Sequence, residues 1–349
     1  MIENVILHVG SPKTGSTHLQ SFLARNKTVL LEEFGVLYSS SGRSGNAHHN
    51  LAYQLGGSHL QAKFKKKNGG ILEIQRECCQ SHAHTLLISS EALFHFSPTC
   101  LLNLRKSFEC SNLHVVVYLR RQEEYLQSGY QQNHKYGRVV ETPFEFCVRK
   151  AAIADYYLFL KKLLAAFGTD SITIHPYLSR RDGFDVRTSF CSTINIDSSR
   201  LDFSSAYSSE NSALSIYAHS FLRHLFASGQ LTTNKPFPPG FSSRIHEFDR
   251  VSTEPCLRYS FLNQHQAGII RSQFVKSNRR FQRLLKQSSN CTGPNLHLMP
   301  LVKALGLPSV IEYNQIQQDF YRRLASDYGL CFDLNELFPH SLFSTPLRP

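Results

Sequence analysis

Five short apolar runs rich in β-branched residues punctuate the first half of the chain, at positions 5–9, 36–38, 85–89, 114–119 and 172–176. Their length and the turn residues around them predict buried strands. Between them, positions 17–25, 60–79, 101–108, 123–135 and 144–167 carry apolar residues at helical spacing. Strands that alternate with helices predict βαβ units, and so an α/β fold with a central parallel sheet and helices on both faces. The alternation fades near Ile196. Beyond it, helical periods return at 208–229, 264–286 and 310–324, while the Pro- and Gly-rich stretch 232–240 reads as a loop or lid. The expected organisation is an α/β core over 1–200 and a mostly helical part over 201–349, packed on the core as a lid for an acceptor site.

A chain of 349 residues with 41% apolar content is long enough for such a core. Its 38 Lys and Arg exceed 26 Asp and Glu, a formal charge of +12. That excess favours an anionic partner, whether a phosphate-bearing cofactor, an acidic glycan, nucleic acid or a membrane surface. No apolar run is long enough to span a membrane. The first residues lack the basic and apolar regions of a secretory signal, so a cytoplasmic location is expected. The nine cysteines form no CxxC pair and no zinc-like spacing with histidine, which predicts reduced thiols and no metal site.

The densest chemistry comes after the first strand, in Gly10-Ser11-Pro12-Lys13-Thr14-Gly15-Ser16-Thr17. A strand entering a Gly- and hydroxyl-rich turn before a helix gathers backbone N–H groups that favour an anion. Lys13 adds an ammonium at its mouth, Gly15 permits close approach, and Thr14, Ser16 and Thr17 add hydroxyls. The glycine spacing is that of a Walker A loop, yet Ser16 stands where that loop needs lysine, which argues against an ordinary ATPase. The plainer alternative is a structural corner with a surface lysine.

A second constellation, Tyr118-Leu119-Arg120-Arg121 with Ser128 eight residues after Arg120, comes after the fourth strand. A guanidinium and a hydroxyl suit a phosphate monoester, and ligands of open parallel sheets bind beyond the carboxyl ends of the strands. Together the two segments resemble the sulfotransferases that use 3′-phosphoadenosine 5′-phosphosulfate (PAPS), and bacterial members most. The segments Gly35–Tyr38, His48–Ala52, Ile174–Tyr177 and Asn278–Phe281 are similar more loosely, and the resemblance covers about 4–195. It implies that Lys13, Thr14, Gly15, Ser16 and Thr17 hold the 5′-phosphosulfate and that Arg120 and Ser128 hold the 3′-phosphate. The nucleotide-closing Arg-Lys-Gly segment of the cytosolic animal enzymes is absent; Arg279, Arg280 or the 232–240 loop could take its place.

Sulfuryl transfer to a hydroxyl needs a stabilised leaving phosphate, for which Lys13 is placed, and a base for the acceptor. No metal is implied. His49, His48 and Glu91 are the candidates for the base, and the resemblance does not choose among them. The implied acceptor is a carbohydrate or small-metabolite hydroxyl, with no nucleic-acid module in sight. The competing classes are a P-loop kinase or NTPase, and a non-catalytic nucleotide- or glycan-binding protein on the same scaffold. Basic runs at 63–67 and within 255–290 read either as solvated faces or as steering for an anion.

Overall fold

Strand β1 (Asn4–His8) sits in the middle of a parallel sheet, between β3 (Thr85–Ser89) and β4 (Asn112–Leu119). Beyond β3 lies β2 (Val36–Leu37); beyond β4 lie β5 (Ser171–Pro176) and β7 (Cys291–Thr292). The order is β2-β3-β1-β4-β5-β7, and every neighbouring pair is parallel. The computed structural model describes residues 2–108, 112–168, 171–178, 183–204, 214–233, 235, 237–252, 259–289, 291–296, 299, 305–306 and 314–332.

Alternation along each strand divides the core in two. Val5, Leu7, Leu86, Ile88, Val115 and Val117 pack with α3 (His49–Leu55), α5 (Ile71–Gln80), α6 (Pro98–Lys106), α9 (Tyr156–Phe167) and α14 (Val275–Gln287). Ile6, Leu87, Val116 and Tyr118 point the other way, toward α1 (Ser16–Arg25), α2 (Lys27–Phe34) and α10 (Val186–Thr193). Both faces are therefore covered, as near-continuous apolar strands require.

The chain forms two compact units, and their borders differ from the expected single boundary at 200. One unit holds Met1–Arg121, Asp155–Tyr207 and Lys276–Leu301; the other holds Gln122–Ala154, Ser208–Val275 and Val302–Pro349. Residues 276–301 return to the sheet unit because Phe281 and Leu285 of α14 bury in its core and β7 adds an edge strand. The second unit is mainly helical, built from α7 (Gln122–Lys135), α8 (Pro143–Arg149), α11 (Ile216–Ala227), α12 (Phe241–Ser252), α13 (Gln264–Gln273) and α15 (Gln315–Asp327). A short parallel pair, β6 (Tyr259–Ser260) and β8 (Leu305–Gly306), completes it. Its core includes Tyr130, Phe146, Phe221, Phe241 and Tyr321.

Two predicted helices are broken. The 60–79 stretch becomes α4 (Ser58–Gln61), an exposed 3-10 turn at Lys66–Asn68 and then α5, with Gly69 and Gly70 ending the turn. Asp155 divides 144–167 by capping α9 through Leu158 N at 3.1 Å. Helix α12 lies where no helix is expected; its Phe241 and Ile245 are buried at helical spacing. Of the predicted loop at 232–240, Asn234 and Pro236 lie outside the described residues, as do 208–213 and 310–313 of two predicted helices.

Candidate active site

In register, His8 of β1 lies level with Ser89 of β3 and Val116 of β4. The chain leaves these three adjacent strands on the same side of the sheet. Three segments thus meet at one place: the turn 10–15 after β1, Ser90 and Glu91 after β3, and Arg120 after β4.

The turn is held in an uncommon backbone shape. Gly15 is left-handed at φ 75°, as glycine readily is, but so is Lys13 at φ 70°. For an L-residue that shape costs roughly 1–2 kcal/mol, and strain of this kind gathers at binding turns. Thr14 uses its hydroxyl inside the turn, donating to the Ser11 carbonyl at 2.6 Å. Ser16 is buried at the first position of α1, and Thr17 is exposed. Among the described residues, a turn closes over Pro12 and Lys13, and no hydrogen bond takes the backbone N–H of positions 10, 11, 13 and 15–17. Six open donors in a turn that leads into the positive end of a helix are the chemistry of an anion cradle. Tyr177, just beyond β5, closes over Gly15, where a Cβ would meet its ring at 3.1 Å.

Lys13 is half-buried rather than free at the mouth. Burial pushes its ammonium below the ordinary value, Glu91 pulls it back up, and the Arg120 guanidinium lowers it again. Arg120 is half-buried too, and its carbonyl accepts a hydrogen bond from Tyr156 Oη at 2.7 Å. Ser128 is half-buried on α7 and belongs to the other unit, so the Arg120–Ser128 interval spans the border between units.

Glu91 anchors the opposite side. His49 places Nε2 at 3.4 Å from Glu91 Oε1, and its Nδ1 lies 2.8 Å from Ser90 Oγ. Gln20 Nε2 donates to Glu91 Oε2 at 2.7 Å. Burial pushes the carboxyl up, but the hydrogen bond and charge of His49 and the Gln20 amide outweigh it and hold the pKa down at about 2. Ser90 precedes the 3-10 turn Glu91–His95 without capping it; its hydroxyl goes to His49 instead.

His48 lies elsewhere in this scheme. It is fully buried, with Nδ1 accepting from Ser89 N at 3.2 Å and Nε2 at 3.1 Å from the Ser39 carbonyl. Burial and the nearby Arg43 charge push its pKa down to about 3, so both nitrogens of a neutral ring serve the backbone. The adjacent rim is firm: Glu77 accepts from Ser39 Oγ at 2.9 Å, Ser40 N at 2.9 Å and Ser41 N at 2.8 Å.

Gln20, Ser89 and Ser90 had no site role in the sequence, and Tyr177 had none beyond closing the segment Ile174–Tyr177. Gln20 left a faint signal, as a polar residue beside the apolar positions Leu19 and Leu23 on the helix after the turn. Among the described residues, no group of three or more His, Cys, Asp or Glu side chains forms a metal-binding set, and no helix is long and apolar enough to cross a membrane.

No family model matches the chain. An uncharacterised protein of Archaeoglobus fulgidus is 33% identical over 94 residues, which are 26% of this chain and 24% of that protein, so the match spans about a quarter of the relative's length. Among solved structures, a sulfotransferase from Alicyclobacillus acidocaldarius superposes with a TM-score of 0.41 at 12% identity, over 66% of this chain and 92% of its own.

Proposed function

We propose that this chain is a PAPS-dependent sulfotransferase that moves the sulfuryl group to a hydroxyl of a carbohydrate or small metabolite. The observation that carries the reading is the meeting of Lys13, strained into a left-handed turn of open N–H donors, with a Glu91 carboxylate that lies 3.4 Å from His49 Nε2. One side of the site suits a leaving phosphate and the other suits an attacking hydroxyl.

In this reading the acceptor oxygen bonds to sulfur as the bond from sulfur to the bridging oxygen breaks. The electron pair stays on the 5′-phosphate of 3′,5′-ADP, where Lys13 and the turn N–H groups stabilise it. The acceptor proton goes to His49. Glu91 is the poorer base of the two, because a carboxyl held at about 2 binds a proton weakly at neutral pH. Its place is to orient the imidazole and balance the imidazolium that forms. Arg120 is assigned the 3′-phosphate.

Incubation with sulfur-labelled PAPS and a fractionated cell extract tests this reading. Label should pass to a glycan or small-metabolite fraction with the wild type and fail to pass with Lys13→Ala. Label found only in protein bands would contradict the acceptor class.

A further inference from the structure

The Glu91 carboxylate lies between two basic groups. His49 Nε2 approaches one oxygen at 3.4 Å, and the same charge acts on the Lys13 ammonium, raising its pKa against the effect of burial. Pairing with Lys13 would neutralise the cation of the anion turn and strip His49 of its acidic partner. The charge of Glu91 also acts on His8, Tyr38 and Tyr53. None competes for Glu91 at neutral pH, since burial keeps His8 uncharged, with a pKa of about 4, and raises both tyrosines.

A side chain on α1 holds the second oxygen. Gln20 is 3% exposed, and its Nε2 donates to Glu91 Oε2 at 2.7 Å and to Ser89 Oγ at 3.3 Å. Ser89 is wholly buried and braced in turn: its Oγ lies 2.7 Å from His8 Nδ1, and its carbonyl accepts from His48 N at 2.8 Å. His8 itself is 1% exposed, and its Nε2 is buried with no partner among the described residues. That nitrogen sits 3.2 Å from where a Cβ on Gly10 would stand, directly against the start of the turn. The brace for Gln20 thus begins at the floor of the anion cradle.

We propose that Gln20 is a positioning residue, whose amide, supported by Ser89 and His8, fixes Glu91 toward His49 and away from Lys13. It keeps the acid–base side of the site apart from the anion side. The inference rests on the proposed function for the role of His49, while the arrangement of the carboxylate can be read with no substrate at all.

The test reads the imidazole N–H of His49 by nitrogen-edited NMR at a single pH, with His49→Ala to assign its signals. Gln20→Met keeps the length of the side chain and removes the donor. The Nε2–H proton signal of His49 should move upfield from its wild-type position in Gln20→Met, because the carboxylate beside it has turned away. Ser89→Ala, which leaves Gln20 in place but unbraced, should move it the same way by less, and it serves if Gln20→Met does not fold. Calorimetry adds a second arm: Gln20→Met should weaken 3′,5′-ADP binding as Glu91 turns to Lys13, and adding Glu91→Gln should restore it. His49 imidazole signals unchanged in a folded Gln20→Met protein would overturn the proposal. A wild type that binds no 3′,5′-ADP would instead count against the PAPS reading, with the NMR arm still deciding the role of Gln20.

Discussion

Tyr177 crowds the space beside Gly15: a Cβ there would meet its Cε2 at 3.1 Å and its Oη at 3.3 Å, so the ring would have to give by a few tenths of an ångström. The glycine is also left-handed, at φ 75°. Gly15→Ala should therefore combine backbone strain with a displaced phenol and cost about 1–2 kcal/mol of stability in urea unfolding. Nucleotide affinity should fall as well, since the cradle must deform. Unchanged affinity for 3′,5′-ADP would show that this turn does not hold the ligand.

Lys13 sets stability against function. Its left-handed backbone and desolvated ammonium both oppose folding. Lys13→Gly should stabilise the chain, by about 0.5–1 kcal/mol once the greater freedom of unfolded glycine is offset. The same substitution should abolish transfer. A less stable Lys13→Gly protein would mean that the lysine belongs to the fold rather than to the anion.

The bases are separated by what each substitution spares. His49→Ala should lower turnover roughly 10²–10⁴-fold with 3′,5′-ADP affinity intact, as loss of a general base does. Glu91→Gln keeps the shape and removes the charge, and should cost less than His49→Ala. If Glu91→Gln abolishes turnover in a folded protein while His49→Ala stays active, the carboxylate is the base.

Acid should unfold this chain through its buried histidines. Burial lowers His8 to about 4 and His48 to about 3, below the 6.5 of an unfolded imidazole. The unfolded chain then binds more protons as pH falls below 6.5, so stability drops by about 1.4 kcal/mol per pH unit for each ring. The fall continues until each folded pKa is reached. Buried His134 and His219, which face each other at 3.0 Å, act in the same sense. Glu91 works over a lower window: its depressed pKa stabilises the fold above the unfolded carboxyl range and is lost only as pH falls toward 2. Urea unfolding at pH 7, 6 and 5 measures the trend, and equal stability at all three would contradict neutral, buried rings.

Short apolar runs carried the sheet in the sequence, because its strands are buried on both faces and leave little else to read. The strand at 85–89 matches β3 residue for residue. Helix α12 was hidden by the prolines before it and by the charged residues between its buried positions. The path of 276–301 back to the sheet could not be read locally, because it depends on where Phe281 and Leu285 find an apolar partner. Lys13, Arg120 and Glu91 were legible as residues just past strand ends. The Gln20 amide and the Ser90 hydroxyl were not, since their meaning lies in side chains 71 and 41 positions away.

The central claim is that the turn and Arg120 bind a nucleotide phosphorylated at both 5′ and 3′ positions. Calorimetry with 3′,5′-ADP, without divalent metal, tests it most directly, beside 5′-AMP and beside ATP with Mg²⁺. The account predicts that 3′,5′-ADP binds tightest and that Arg120→Ala weakens it toward the affinity of 5′-AMP, which changes little. Tight Mg²⁺-dependent binding of ATP, with 3′,5′-ADP bound no better than 5′-AMP, would contradict it.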